Sequence, residues 1–326
     1  MTLLLIAVIM ISVMSGLLGS MLIYKYGGHL SLTDVPSERS SHSTPTPRGG
    51  GIGIWVALLV VGFFILKDVP FTLVAGVVGL LGLVEDRFTL TSHFRLVIQF
   101  IVSSLAVLMV VLFSDTPLTT SLVLFPLWVL FVVGTTNFYN FMDGINGIAG
   151  LTGIVGFGLV AFFSFFIADN VTIAFMSIAL SCACLGFLPL NFPRAKVFMG
   201  DVGSILLGFM FAVFVVRLST DLRVFFCLIM FLFTFYADAL MTIFYRWRKG
   251  ENLMEAHRSH LYQYLCNALG FPHWKVSIVY MSTQFMIGIL AILAYKRGFN
   301  WQIILFIISG VSFPIIYTFV KNKILT

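Results

Sequence analysis

Apolar residues run in long unbroken blocks along this chain, and polar residues are gathered into the stretches between them. The blocks lack the strict alternation of barrel strands, and their length suits helices crossing a hydrocarbon core, which takes about 20 residues. Eleven spans are predicted, over 3–23, 51–66, 71–84, 94–113, 121–138, 148–168, 171–189, 203–217, 224–244, 276–294 and 300–320. The second, third and eighth are short and need polar flanking residues to complete them. The first has no basic stretch ahead of it and no small-residue cleavage pattern, so it reads as a retained helix rather than a leader.

Composition strengthens this picture. The chain is 60% hydrophobic and only 10% charged, against roughly 25% charged residues in a soluble domain, with a mean hydropathy of +1.05. The expected fold is an all-α polytopic integral membrane protein, one domain across residues 1–326, without internal repeats. With the N-terminus outside and the C-terminus cytoplasmic, only Lys67, Arg217, Arg223, Lys296 and Arg297 of the 19 basic residues fall outside, the asymmetry expected of cytoplasmic loops. The net charge of +6 is then mostly topological, suited to anionic lipid or nucleotide phosphates and not to nucleic acid. Cys182, Cys184, Cys227 and Cys266 form no disulfide framework or metal-spacing set and read as packing residues.

The polar loops carry the candidate chemistry. Four of the 13 acidic residues fall in three short motifs at span ends on the predicted inner face. Glu85-Asp86 closes the third span, where an exposed loop start would be the plain explanation. Two adjacent carboxylates at a membrane boundary otherwise call for a cation, and Arg87 or a divalent metal could serve. Asn137, Asn140, Asp143 and Asn146 recur every third residue, a slowly turning polar stripe if the fifth helix continues. Their carboxamides suit a pyrophosphate, a base or a metal, though interhelical contacts use such residues too. Gly200-Asp201-x-Gly203-Ser204 opens the eighth span, where an aspartate can cap the helix or its free amides can hold phosphate.

Two longer loops belong to the same face. The first, 24–51, concentrates His42, Pro45, Pro47, Arg48 and Gly49–Gly51, more than a simple tether needs. In the other, 245–275, residues 251–269 are predicted as an amphipathic interfacial helix ended by Gly270 and Pro272. That leaves His257, Arg258 and His260 to explain. Two histidines alone underfill a zinc site, and a phosphate or sugar contact fits them equally. Asp238, within the ninth span, is expected to pair structurally with Tyr245 or Arg246. His29, His93 and His273 read as ordinary interfacial residues. Oxygen-rich acids with basic partners on one face suit phosphoryl transfer around a hard cation that shares its shell with substrate phosphates.

Taken together, Glu85-Asp86, Asn137-x-x-Asn140-x-x-Asp143-Gly144, Phe198-Met199-Gly200-Asp201-x-Gly203-Ser204 and Arg258-x-His260-Leu261 resemble the polyprenyl-phosphate N-acetylhexosamine-1-phosphate transferases. These are glycosyltransferase family 4, in the phospho-N-acetylmuramoyl-pentapeptide transferase superfamily. His42-x-x-Pro45-Thr46-Pro47-Arg48-Gly49 fits the same pattern, and 256–263 looks like the branch that starts O-antigen or related surface polysaccharides. The resemblance spans nearly the whole chain. It implies that a UDP-N-acetyl amino sugar gives its sugar 1-phosphate to undecaprenyl phosphate in a bacterial inner membrane, with UMP leaving on the cytoplasmic face. It also implies Mg²⁺, with Mn²⁺ as the alternative, and admits a homodimer. By motif, Asp201 and Asn140 would hold the metal and pyrophosphate, Asp86 would lie near the lipid phosphate with Glu85 beside it, and Asp143 would support the site. Asn146 would face uridine, with Asn137 among the substrate contacts. Arg95 would bind donor phosphates, Arg48 the lipid phosphate, and His257, Arg258 and His260 the sugar or its phosphate.

Departures from the family pattern are Glu85 in place of the usual Asp, Asn146 where many bacterial members have Asp, and Tyr262-Gln263 where other branches place histidines. Two other classes compete. A secondary transporter also uses carboxylates in membranes, but near span centres, where only Asp238 lies. A silent lipid-phosphate scaffold would not need Asp86, Asn140, Asp143 and Asp201 together. The identity of the sugar, and whether attack is direct or through a covalent intermediate, stay open at this level.

Overall fold

The computed structural model describes residues 1–36, 41, 44–88, 90–112, 118–252 and 258–325. It contains eleven long helical segments at the predicted places. They are α1 (Thr2–Tyr26), α2 (Ile52–Leu66), α3 (Val69–Arg87), α4 (Ser92–Leu112), α5 (Leu118–Phe141), α6 (Ile148–Phe166), α7 (Val171–Asn191), α8 (Asp201–Leu218), α9 (Leu222–Arg248), α10 (His273–Arg297) and α11 (Phe299–Leu325). Among the described residues ten are long and apolar enough to cross a membrane. The exception is α2: at 1.5 Å per residue it spans only about 22 Å of a roughly 30 Å core. Short as it is, α2 runs the length of α8, from Gly51 against Gly203 at its start to Asp68, which pairs with Arg217 in the last turn of α8 at 3.1 Å. The chain is an integral membrane protein.

Burial orders the bundle. Nearly every residue of α8 is buried, while α1 and α11 present most of their surface outward. Sequence hydropathy does not distinguish these helices, because lipid-facing and protein-facing residues are equally apolar. Close approach does: Gly51 meets Gly203 backbone to backbone, letting the start of α2 lie against the start of α8. Beside this contact, Gly50 and Gly51 N–H donate to the Phe198 and Met199 carbonyls, and Phe198 N–H to the Pro47 carbonyl. A two-residue ribbon, β1 (Thr33–Asp34) against β2 (Thr46–Pro47), braces the same loop.

Helix ends and breaks have local causes. Asn170 and Asp221 cap α7 and α9 by accepting from Ile173 N–H and Val224 N–H. In α9 the α-helical pattern tightens over Met230–Leu232. Gln284 of α10 fills that break, donating to the Met230 carbonyl at 2.8 Å and accepting from Thr234 N–H at 3.0 Å. In a membrane interior such satisfaction of freed backbone groups is obligatory.

Two local expectations change. Residues 251–269 do not form one amphipathic helix: residues 258–260 are non-helical, Leu261–Gln263 make a single turn, and Tyr264–Ala268 a wider one. The cause is a buried carboxylate, Asp238, which holds Leu261 and Tyr262 by their amides. The polar stripe also stops short, because α5 ends at Phe141. Asn137 and Asn140 are on the helix, and Asp143 and Asn146 in the turn beyond it.

Candidate active site

The third and eighth helices meet through one carboxylate. Asp86, at the end of α3, accepts from Asp201 N–H at 2.9 Å through Oδ1 and from Val202 N–H at 3.0 Å through Oδ2. These are orphan donors of the first turn of α8, so Asp86 caps a helix distant in sequence and places its charge at the positive dipole end. Arg48 Nε donates to the Asp86 carbonyl at 2.8 Å, bringing the proline- and glycine-rich loop onto the same point. Gly200 turns into α8 with φ +74°, and a Cβ there would stand 2.5 Å from Asp86 Oδ2 and 2.6 Å from Gly49 N.

Glu85 and Asp86 are both buried, so neither serves as an exposed loop start. Glu85 pairs with Arg95 of α4 at 2.6 Å (Nη1 to Oε1). One turn along α4, Gln99 Oε1 accepts from Asn137 Nδ2 at 2.7 Å. Asn140 Oδ1 accepts from Ser204 Oγ at 2.7 Å, tying α5 to α8. A belt of polar contacts thus links α3, α4, α5 and α8 at one end of the bundle.

Within the belt opens a cavity of about 360 Å³ whose walls include Arg48, Asp86, Asn140, Asp143 and Asp201. Glu85, Arg95, Asn137, Asn146, Arg258 and His260 are not among the residues of its wall. Asn146 lies beside the turn, its N–H 3.5 Å from His273 Nδ1 and its carbonyl accepting from Ser277 Oγ at 2.8 Å. His273 is therefore a neighbour of the site, not the isolated interfacial residue expected; His29 and His93 are exposed. His260 is buried against Asp238 (Nδ1 to Oδ1, 3.3 Å). His42 and His257 lie outside the described residues.

The walls include groups that sequence reasoning assigned no role: Asp34, Asn191, Phe198 and Gln263. Asn191 has a clear task, accepting from Gly147 N–H at 2.8 Å and donating to the Val197 carbonyl at 2.9 Å. It joins the Asp143 turn to the segment before α8. Nothing in the sequence marks Asn191 for this, since it reads as the last residue of an apolar helix, outside the motifs. Gln263 had a signal, its place in the segment with Arg258 and His260.

Electrostatically the cavity is short of positive charge. Burial, then the charges of Asp201 and Asp86, push the Asp143 carboxyl well above the usual carboxylate range. Among the described residues neither Asp143 nor Asp201 forms an ion pair. Nor do three His, Cys, Asp or Glu side chains among them converge as a ready-made metal cage. A cage is not what Mg²⁺ needs. It takes one or two carboxylates, retains water and shares substrate phosphates. The donor set of Asp201, Asp143 and the Asn140 carboxamide, all oxygens and excess in negative charge, fits such a cation.

Comparison with known proteins bears on this geometry. Residues 69–219, from α3 through α8, match the family model described as glycosyl transferase family 4. The chain is 30% identical over 293 residues, 77% of its own length and 73% of the relative's, to a decaprenyl-phosphate N-acetylglucosaminephosphotransferase of Mycobacterium leprae. The chain belongs to glycosyl transferase family 4. It is thus a membrane-embedded transferase of the phosphosugar type. An undecaprenyl-phosphate alpha-N-acetylglucosaminyl 1-phosphate transferase of Thermotoga maritima is 29% identical, with 79% of this chain and 80% of that one covered. A phospho-N-acetylmuramoyl-pentapeptide-transferase of Staphylococcus haemolyticus is 27% identical, with 80% and 89% covered. The matched segment carries Glu85, Asp86, Arg95, Asn137, Asn140, Asp143, Asn146 and Asp201. Arg48, Arg258 and His260 lie outside it.

Proposed function

We propose that this transferase moves N-acetylhexosamine 1-phosphate from a UDP-sugar to undecaprenyl phosphate, forming the lipid-linked diphospho-sugar and UMP at the cytoplasmic face of a bacterial inner membrane. The observation that carries the reading is the cavity itself, where Asp86, Asn140, Asp143 and Asp201 gather with Arg48 at one end of a membrane bundle. In the net reaction a bond forms between an oxygen of the lipid phosphate and the phosphorus that bears the sugar, and the bond from that phosphorus to the UMP oxygen breaks. Asp201 and Asn140 would hold Mg²⁺, with Mn²⁺ as a substitute. Such an ion supplies charge neutralisation on the pyrophosphate and the leaving phosphate. Asp86 fixes the start of α8 and so the position of Asp201. Arg48 and Arg95 bring positive charge towards the phosphates, Arg95 held in place by Glu85. Asp143 would add a further carboxyl oxygen beside Asp201 and Asn140.

The product would begin O-antigen or a related surface polysaccharide. The relatives named for N-acetylglucosamine make UDP-GlcNAc the first donor to assay, with the GalNAc, FucNAc and QuiNAc nucleotides beside it. The test is UMP release by purified protein given Mg²⁺, undecaprenyl phosphate and each UDP-sugar in turn. Release that stops in EDTA and returns with Mg²⁺ is expected; full turnover without divalent metal refutes the metal-assisted reading. Transport has little left to rest on, since Asp238, its one carboxylate well inside a span, is saturated by donors from the chain.

A further inference from the structure

Asp238 is fully buried in α9, and the proposed reaction does not use it. Four donors converge on its carboxylate. They are Leu261 N–H at 2.8 Å, Tyr262 N–H at 3.2 Å, Tyr280 O–H of α10 at 2.7 Å and Thr242 O–H at 3.2 Å. An ionised carboxylate is an acceptor with about four lone-pair sites, so every site is taken. His260 Nδ1 lies 3.3 Å from Oδ1 as well.

What this carboxylate holds matters more than that it is satisfied. The segment tied down is His260–Gln263, whose last residue lines the cavity. Its middle residue reaches the opposite wall: Tyr262 O–H donates to the Phe141 carbonyl at 2.9 Å, two residues before Asp143. Burial, followed by the charges of Asp238 and Asp143, pushes the Tyr262 phenol well above its ordinary range and keeps it a donor. Tyr317 of α11 donates to the Ser259 carbonyl at 2.9 Å, so the same segment is fixed from a third helix. One carboxylate therefore sets the distance between the 258–263 segment and the Asn140–Asp143 turn.

The geometry points to Asp238 as a positioning residue: it fixes the His260–Gln263 wall of the cavity and so governs how the sugar nucleotide is held, without touching it. This rests on the proposed function for what the cavity binds. The requirement is for a carboxylate and not merely for its volume. Each oxygen accepts one backbone N–H, from Leu261 or Tyr262, so asparagine, nearly the same in shape, would in either orientation turn its amino group toward a donor that cannot accept.

The experiment pairs hydrogen exchange with steady-state kinetics on Asp238→Asn and Tyr280→Phe, the latter removing one donor and leaving the carboxylate. In Asp238→Asn, amide exchange should quicken over 258–268 and stay as in the wild type in α3, α5 and α8. With the UDP-sugar that the wild type turns over, KM for the donor should rise about tenfold, while kcat and KM for undecaprenyl phosphate change less than about threefold. Tyr280→Phe should follow in the same direction at about threefold in donor KM, and it alone decides if Asp238→Asn does not fold. Unchanged exchange over 258–268 overturns the proposal, as does a loss confined to kcat. If the wild type releases no UMP from any UDP-sugar, the proposed function fails while the clamp is still judged by exchange: faster exchange supports it and unchanged exchange overturns it.

Discussion

Replacing either of two neighbouring aspartates with asparagine should separate the part of this site that builds the fold from the part that meets substrate. Asp86→Asn keeps one oxygen for the first turn of α8 but turns an amino group toward the other amide, at a position only 1% exposed. One orphaned helix N–H costs about 1–3 kcal/mol. The lost negative charge at the helix start adds about 0.5–1 kcal/mol. A penalty of about 2–4 kcal/mol follows, together with loss of turnover, because Asp201 shifts with the helix start. Asp201→Asn is different. Its side chain makes no hydrogen bond or ion pair among the described residues, so its stability should stay within about 1 kcal/mol of wild type, while UMP release disappears. The assay is thermal unfolding in detergent, read by intrinsic fluorescence, beside the UMP assay on the same preparations. Equal melting of Asp86→Asn and the wild type would refute the capping argument. Sustained turnover by Asp201→Asn would remove it as the metal ligand.

Further expectations follow from the same contacts. Gly200→Ala forces a side chain into a left-handed backbone against Asp86 and Gly49; a loss of about 2 kcal/mol or more in melting and no turnover are expected. Asp143→Asn should raise the melting midpoint in EDTA and flatten its pH dependence. The wild-type carboxyl is raised in the folded state, so its stabilising contribution is complete below the unfolded pKa and is lost as pH rises through the folded one. A midpoint in EDTA unchanged by the substitution at every pH would contradict this. Glu85→Asp shortens the reach to Arg95 by one methylene and should part the 2.6 Å pair, raising donor KM while kcat holds. An unchanged KM would show that the pair does not set the position of Arg95.

Much of this was legible in the chain. Long apolar blocks located all eleven helical segments, because a hydrocarbon solvent imposes both helix and length. The acidic motifs stood out because charge is scarce in such a sequence, and the cavity draws Asp86, Asn140, Asp143 and Asp201 to one place. Partner choice was not legible. Asp238 was expected to meet Tyr245 or Arg246 along its own helix, yet apart from Thr242 its partners come from a loop more than 20 residues away and from α10. Asn191 carried no signal at all, since a joint between two loops depends on where both of them arrive. Membrane helices are placed against one another by shape and a few polar contacts, not by a hydrophobic pattern that differs between faces. The sequence therefore determined the medium, the segments and the kind of chemistry. Only the tertiary structure decided that α8 lies at the centre, that Asp86 caps it, and that one buried carboxylate in α9 sets a wall of the site.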